Sequence, residues 1–237
     1  MLHRNLLEIF DLIPMSKNIY IIENNIYIKL KEENRMVLPN SNIKEKKFQL
    51  IDKNISKQYI LLLFNALNEK PIKNMINIMK MLYFISLNVP SLENEFNFEA
   101  DNYGPSSDVV ERNLESLNQE NFLIESKKGF QLNKLGKEYL NSRNFDDVDN
   151  DLIEDMKELF DGLTSDEVCA LTYFTFPDTT SESLILDRII ENRQKLALNL
   201  YKKNKISVEK ASEIAGIPVI EMYELLSENN IKIELRI

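Results

Sequence analysis

A chain of 237 residues with 43% hydrophobic content is long enough for one large domain or two to three small ones. Its formal net charge of −9 excludes a coat-like protein that holds nucleic acid by overall attraction, because phosphate neutralisation supplies much of that affinity. The single cysteine, Cys169, excludes an internal disulfide framework and fits a reducing cytosol.

Five glycines and seven prolines leave little room for long flexible linkers, so a mainly α (α+β) fold is expected. No apolar run reaches the roughly 20 residues of a membrane helix. The most apolar stretch, residues 59–67, is short and interrupted by Asn65. The start of the chain lacks the basic, apolar, small-residue order of a secretory signal. The expectation is a soluble cytoplasmic protein with no membrane partner.

In chain order, residues 1–13 carry apolar residues at helical spacing up to Pro14. Residues 19–30 read as a β-hairpin turning at Asn24-Asn25, since Asn tolerates left-handed dihedrals. Residues 36–38 suggest a third short strand, and the polar, Lys-rich residues 40–54 a linker. A lone hairpin is marginal in water, so this unit needs to dock or pair with a second copy. Residues 55–68 predict a helix with a broad apolar face, and Pro71 opens the next, where its missing N–H has no partner. The Met-rich residues 75–87 predict a core helix, core packing being favoured over a promiscuous peptide groove.

After a break at Val89-Pro90 and the Tyr103-Gly104-Pro105 loop, residues 106–119 predict a polar-faced helix capped by Ser106. Residues 122–125 and 130–132 then read as a two-stranded wing with Ser126-Lys-Lys-Gly129 at its tip. This is the layout of a winged helix. A short helix over 135–140 precedes the most acidic stretch. There Asp147, Asp149, Asp151, Asp155 and Glu158 fall at calcium-loop spacing, but Leu152 stands where the sharp turn requires Gly. Asp151 as an N-cap with Glu154 as its reciprocal partner is the better account, and no metal is expected.

Residues 152–160 predict a helix ended by Gly162, and Thr164 with Glu167 a capping box for the next, which stops at Pro177. Cys169 reads as a small core residue, since nothing basic nearby in sequence would form a thiolate. A single long helix is predicted over 184–201. Ser207 then caps a helix to Ala215, Gly216 turns, and Pro218 opens a second helix. Ser212 and Gly216, four apart, suit a close helix-turn-helix crossing. Residues 231–237 alternate as a terminal strand suited to pairing two protomers.

Residues of about 58–184 resemble the YwgA-type and Panacea (SocA-like) group of prokaryotic proteins. The carrying features are residues 78–84 (IMKMLYF), Phe98 to Ser106 with Tyr103-Gly104-Pro105, the apolar residues 122–124, Leu132 to Gly136, and residues 176–183 (FPDTTSES). Relatives in that group are often encoded with toxins or proposed as antitoxins. Residues of about 188–237 are similar to small antitoxin-like helix-turn-helix proteins, through residues 200–211, 213–217 and 222–226. The two resemblances imply a regulator or antitoxin-type protein, with DNA, a toxin or another protein as partner.

DNA binding needs cations near phosphates. The candidates are Lys127 and Lys128 at the wing tip, and Arg193, Lys195, Lys202, Lys203 and Lys205 on and after the long helix, where Arg188 adds a further cation. For Lys202, Lys203 and Lys205 the alternative is a solvated helix end that complements the dipole. Asp108, Glu111 and Glu115 beside one Arg112, and Glu221 with Glu224, make both reading helices acidic. Tyr103 reads as a core anchor for its loop or, more sharply, as a direct partner contact. His3 is the only histidine, so a Ser-His or Cys-His pair has no base in reach, and no enzyme and no cofactor are expected.

The domain reading is a helix-plus-hairpin unit over 1–54, a winged helix over 55–143, a helical connector over 144–187 and a helix-turn-helix over 188–237. The functional reading is a DNA-binding regulator or antitoxin-like factor, most simply a homodimer, against a winged-helix adaptor that binds protein alone.

Overall fold

Ile- and Tyr-rich sequence builds an antiparallel hairpin, β1 (Asn18–Ile22) and β2 (Asn25–Lys29), to which β3 (Met36–Val37) adds as a third strand. This computed structural model describes residues 18–22, 25–29, 36–37, 40–145 and 147–233. The chain divides into two units, Met1–Lys53 and Asn54–Ile237. The register sets Ile22 opposite Asn25, so Asn25 lies on a strand and not in the turn. Residues 40–54 are no linker. They form α1 (Asn40–Asp52), in which Phe48 and Ile51 are buried three apart on one face, spacing that the Lys-rich polar face concealed. The helix expected over 1–13 lies outside the described residues, His3 with it.

The second unit is winged-helix in order. Helix α2 (Ile55–Glu69) is capped by Asn54, whose side chain accepts from the Lys57 amide, and it buries Ile60, Leu61, Leu63 and Phe64 completely. Its last turn breaks: Leu67, Asn68 and Glu69 all have positive φ. The carbonyls freed there are met by Lys157, a buried side chain whose Nζ donates to the Ala66 carbonyl at 2.7 Å. Burial lowers the Lys157 ammonium to about 8.

Pro71 opens no helix. It leads into extended Ile72, which exchanges two backbone hydrogen bonds with Phe130 (3.0 and 2.9 Å) as the short first strand of the wing sheet. Helix α3 (Met75–Ser86) starts instead behind Asn74, whose side chain accepts from the Asn77 amide at 2.9 Å. A helix not foreseen, α4 (Pro90–Phe96), carries Pro at its first turn. Helix α5 (Asp108–Gln119) is capped by Ser107 rather than Ser106 and turns Val110, Leu114 and Leu117 inward. The wing follows, with β4 (Leu123–Ser126) paired to β5 (Gly129–Leu132) and Lys127-Lys128 as the two-residue turn.

Helix α6 (Lys134–Asn141) packs on α2, and α7 (Asp147–Phe160) packs on α2 and α3. Asp151 lies inside α7, not at its cap, and the acidic residues run along one continuous helix rather than round an ion loop. Glu154, the supposed capping partner, accepts from the Leu67 amide of the broken α2 end at 2.8 Å. Helix α8 (Ser165–Thr175) has the Thr164–Glu167 capping box the sequence predicts, and a 3₁₀ turn (Pro177–Thr180) follows it.

The long helix expected over 184–201 is two, α9 (Leu186–Glu191) and α10 (Arg193–Lys202), parted at Asn192, whose side chain donates back to the Arg188 carbonyl at 2.8 Å. Helices α11 (Val208–Ala215) and α12 (Val219–Glu228) form the helix-turn-helix, and α11 also packs on α8 and α10. Residues 231–233 form no strand, and 234–237 lie outside the described residues. No helix among the described residues is long and apolar enough to cross a membrane.

Candidate interaction surface

Two loops, residues 97–108 and 176–187, meet over α3 and α8. In the first, Glu99 and Ser106 bridge through two backbone hydrogen bonds of 2.9 Å, and the Gly104 amide donates to the Asp101 carbonyl at 2.8 Å. Gly104 has φ +80, and a Cβ there would stand 2.5 Å from the Tyr173 ring. The Pro105 carbonyl accepts from Lys80 Nζ at 2.7 Å. Lys80 is 1% exposed in the middle of apolar α3, and burial lowers it to about 8.

Tyr173 on α8 ties the two loops together. Its ring walls Gly104, and its hydroxyl is 2.9 Å from Ser183 Oγ. The Leu184 amide donates to the Asn102 carbonyl at 3.0 Å, closing the second loop on the first. Beneath them Tyr83 stacks edge-on against Phe98 and Phe176, with ring centroids 5.3 and 5.4 Å away. With Gly104 and Pro105 held inside, Tyr103 is turned out at 47% exposure, and Leu184 beside it is 78% exposed. Tyr103 is therefore not a core anchor. The loop is anchored by its backbone, and the ring is left for contact.

The cations predicted from sequence fare differently from one another. Arg193 lies with its guanidinium 4.3 Å over the Phe174 ring, and its Nε donates to the Ile214 carbonyl at 2.7 Å. It seals the C-terminal end of α11, where left-handed Gly216 makes the turn. The small residue at 216 thus makes room for an arginine head, since a Cβ there would meet it at 2.4 Å. Lys203 donates to the Gly162 carbonyl at 2.9 Å and to Glu167 Oε2 at 2.6 Å. Lys205 donates to the Glu158 carbonyl at 2.5 Å. Arg188 pairs with Asp166 at 2.7 Å. Lys127, Lys128, Lys195 and Lys202 stay exposed and form no ion pair among the described residues.

Burial alone would raise the Glu167 carboxyl, but its bonds with Lys203 and the Thr164 cap outweigh that and hold it below the usual range. Cys169 is fully buried, and burial pushes its thiol up. On α5 the outward residues are Asp108, Glu111, Arg112, Glu115 and Gln119. Three carboxylates against one guanidinium repel a phosphate backbone. A cavity of about 510 Å³ between α2, α6 and α7 is lined largely by asparagines and apolar groups, and the one carboxylate among its described lining residues, Glu154, is already engaged by Leu67.

Lys80, Tyr173, Ser183 and Leu184 were not singled out from sequence. One signal was available: Lys80 is the only charged residue in the apolar run that became α3.

Together these elements define a winged helix joined to a C-terminal helix-turn-helix. A family model described as an uncharacterised protein family (UPF0175) matches residues 172–237, from within α8 through the helix-turn-helix. No curated protein and no solved structure matches the chain.

Proposed function

We propose that this chain is a non-catalytic, antitoxin-like regulator that works by binding protein, with its winged helix acting as an adaptor rather than a groove reader. The observation that carries this reading is the fate of the charges. Helix α5, the element a winged helix would lay in a major groove, presents Asp108, Glu111 and Glu115 outward. Arg193, Lys203 and Lys205, three of the seven candidate cations, are bound to the protein's own carbonyls and carboxylate. The resemblance of residues 58–184 to the YwgA-type and Panacea group, and of residues 188–237 to antitoxin-like helix-turn-helix proteins, supports a role beside a protein partner.

DNA binding is a second reading, favoured by the exposed Lys127 and Lys128 at the wing tip with Lys195 and Lys202 on α10. Fluorescence anisotropy with duplex DNA from the chain's own promoter, at low and at physiological salt, separates the two. The adaptor reading expects no salt-dependent binding. Binding with a steep salt slope that K127A, K128A, K195A and K202A together remove would replace it with the DNA reading.

A further inference from the structure

We infer that the paired loops 97–108 and 176–187 form a docking site for a basic segment of a partner protein, one that places a bulky apolar side chain against Tyr103 and Leu184 between Lys or Arg residues. The inference deepens the adaptor reading and rests on it. Its starting point is the exposed apolar pair. Tyr103 and Leu184 sit on two strands of chain clipped by the Leu184–Asn102 hydrogen bond, so the two side chains leave adjacent backbone positions. The support beneath them is stiff: Lys80 fixes Pro105 from below, and Tyr173 fixes both Gly104 and Ser183. A rigid exposed Tyr beside a Leu loses little freedom on binding, which suits an interface centre.

Charge sets the partner's chemistry. The two loops contain Glu99, Asp101, Asp108, Asp178, Glu182 and Asp187, all exposed and none in an ion pair among the described residues, and neither loop contains a Lys or Arg. Of the bases nearby, Arg188 is held by Asp166 on α8 and Lys80 by the Pro105 carbonyl, while Arg112 lines with Glu99, Asp101 and Asp108 a shallow cavity of about 320 Å³. A second copy of this chain would bring like charges together across a two-fold interface, so the complementary occupant is a cationic peptide of another protein.

The test is selection of a random peptide library on the immobilised full-length chain, followed by anisotropy titration of the enriched peptides. The expected enrichment is for Lys- and Arg-rich peptides around a bulky apolar residue. Their affinity should fall tenfold or more in Y103A/L184A and survive in Y103F/L184M, with circular dichroism unchanged. Added salt should weaken them, and D101N/D178N/E182Q should both weaken binding and flatten that slope. Enriched peptides indifferent to Y103A/L184A would overturn this site and leave the adaptor reading in place. No enriched peptide, alongside salt-dependent DNA binding, would overturn both. Self-association that Y103A/L184A abolishes would make the occupant a second copy and overturn the proposal as stated.

Discussion

The loop pair over α3 and the helix-turn-helix at the C-terminus handle charge in opposite ways. Over α3 a lysine is buried, and the carboxylates and the apolar side chains Tyr103 and Leu184 are left in solvent. At the C-terminal end the cations lie near the surface, but Arg193, Lys203 and Lys205 are turned back onto carbonyls at the ends of α11, α7 and the turn after α7. The comparison teaches that a run of basic residues measures neither positive surface nor binding capacity. Exposed C-terminal carbonyls of helices compete for the same cations that phosphates would take.

The largest expected effect lies in the loop pair. Gly104 needs positive φ and abuts the edge of a buried tyrosine ring, so neither backbone nor wall can yield cheaply. G104A should cost about 3 kcal/mol in urea unfolding, from left-handed strain together with overpacking. If it costs under about 1 kcal/mol, the loops are not held by Tyr173 as described.

At the C-terminal end the corresponding break is K203M. It leaves Glu167, nearly fully buried, with its cap but without its cation. A loss of about 2 kcal/mol is expected, with more than half recovered when E167Q is added, because the unpaired buried charge carries much of the cost. The pH dependence has a fixed sign. The folded Glu167 carboxyl lies below its ordinary 4.5, so its contribution is complete above that value and is lost as pH falls through the folded value. Thermal unfolding of K203M should show a flatter acid limb than the parent.

A smaller loss, about 1 kcal/mol, is expected for G216A. This glycine also has positive φ, but its neighbour is the end of the Arg193 side chain, which can move where the Tyr173 ring cannot. The ratio of the two glycine effects sharpens the contrast between a rigid wall and a flexible one.

What could be read from the sequence follows from which forces are local. The wing was legible because alternating apolar residues and a Lys-Lys-Gly turn dictate a hairpin over ten residues. The caps Ser207 and Thr164 and the turn at Gly216 were legible for the same reason. The Asn192 break was not, since apolar spacing continues through it and the chain bends only to pack α9 and α10 against α8. For Tyr103 the sequence leaves core anchor and partner contact both open. Its direction is set by residue 104 meeting a ring 69 positions away, which no local pattern encodes. The direction of Arg193 and Lys203 likewise depends on carbonyls 21 and 41 residues distant.

The smallest effect at neutral pH is expected for K80M, yet its sign is informative. Methionine fills similar volume and removes a buried ammonium, while the Pro105 carbonyl loses its donor; the two changes oppose, so a shift within about 1 kcal/mol is expected at pH 7. At higher pH they separate. The folded lysine releases its proton near 8 and the unfolded one near 10.5, so the unfolded state binds more protons across that window. Stability of the parent should therefore rise from about pH 8 to pH 10, with Lys157, also lowered to about 8, adding to the rise. K80M should show roughly half of it in pH-resolved urea unfolding, and K80M/K157M no rise, leaving only the opposing fall that the raised Cys169 thiol contributes as pH climbs through its ordinary 9.0. An undiminished rise in K80M would mean that Lys80 keeps an ordinary ammonium, and that Pro105 is held from below by something other than a buried, solvent-stripped cation.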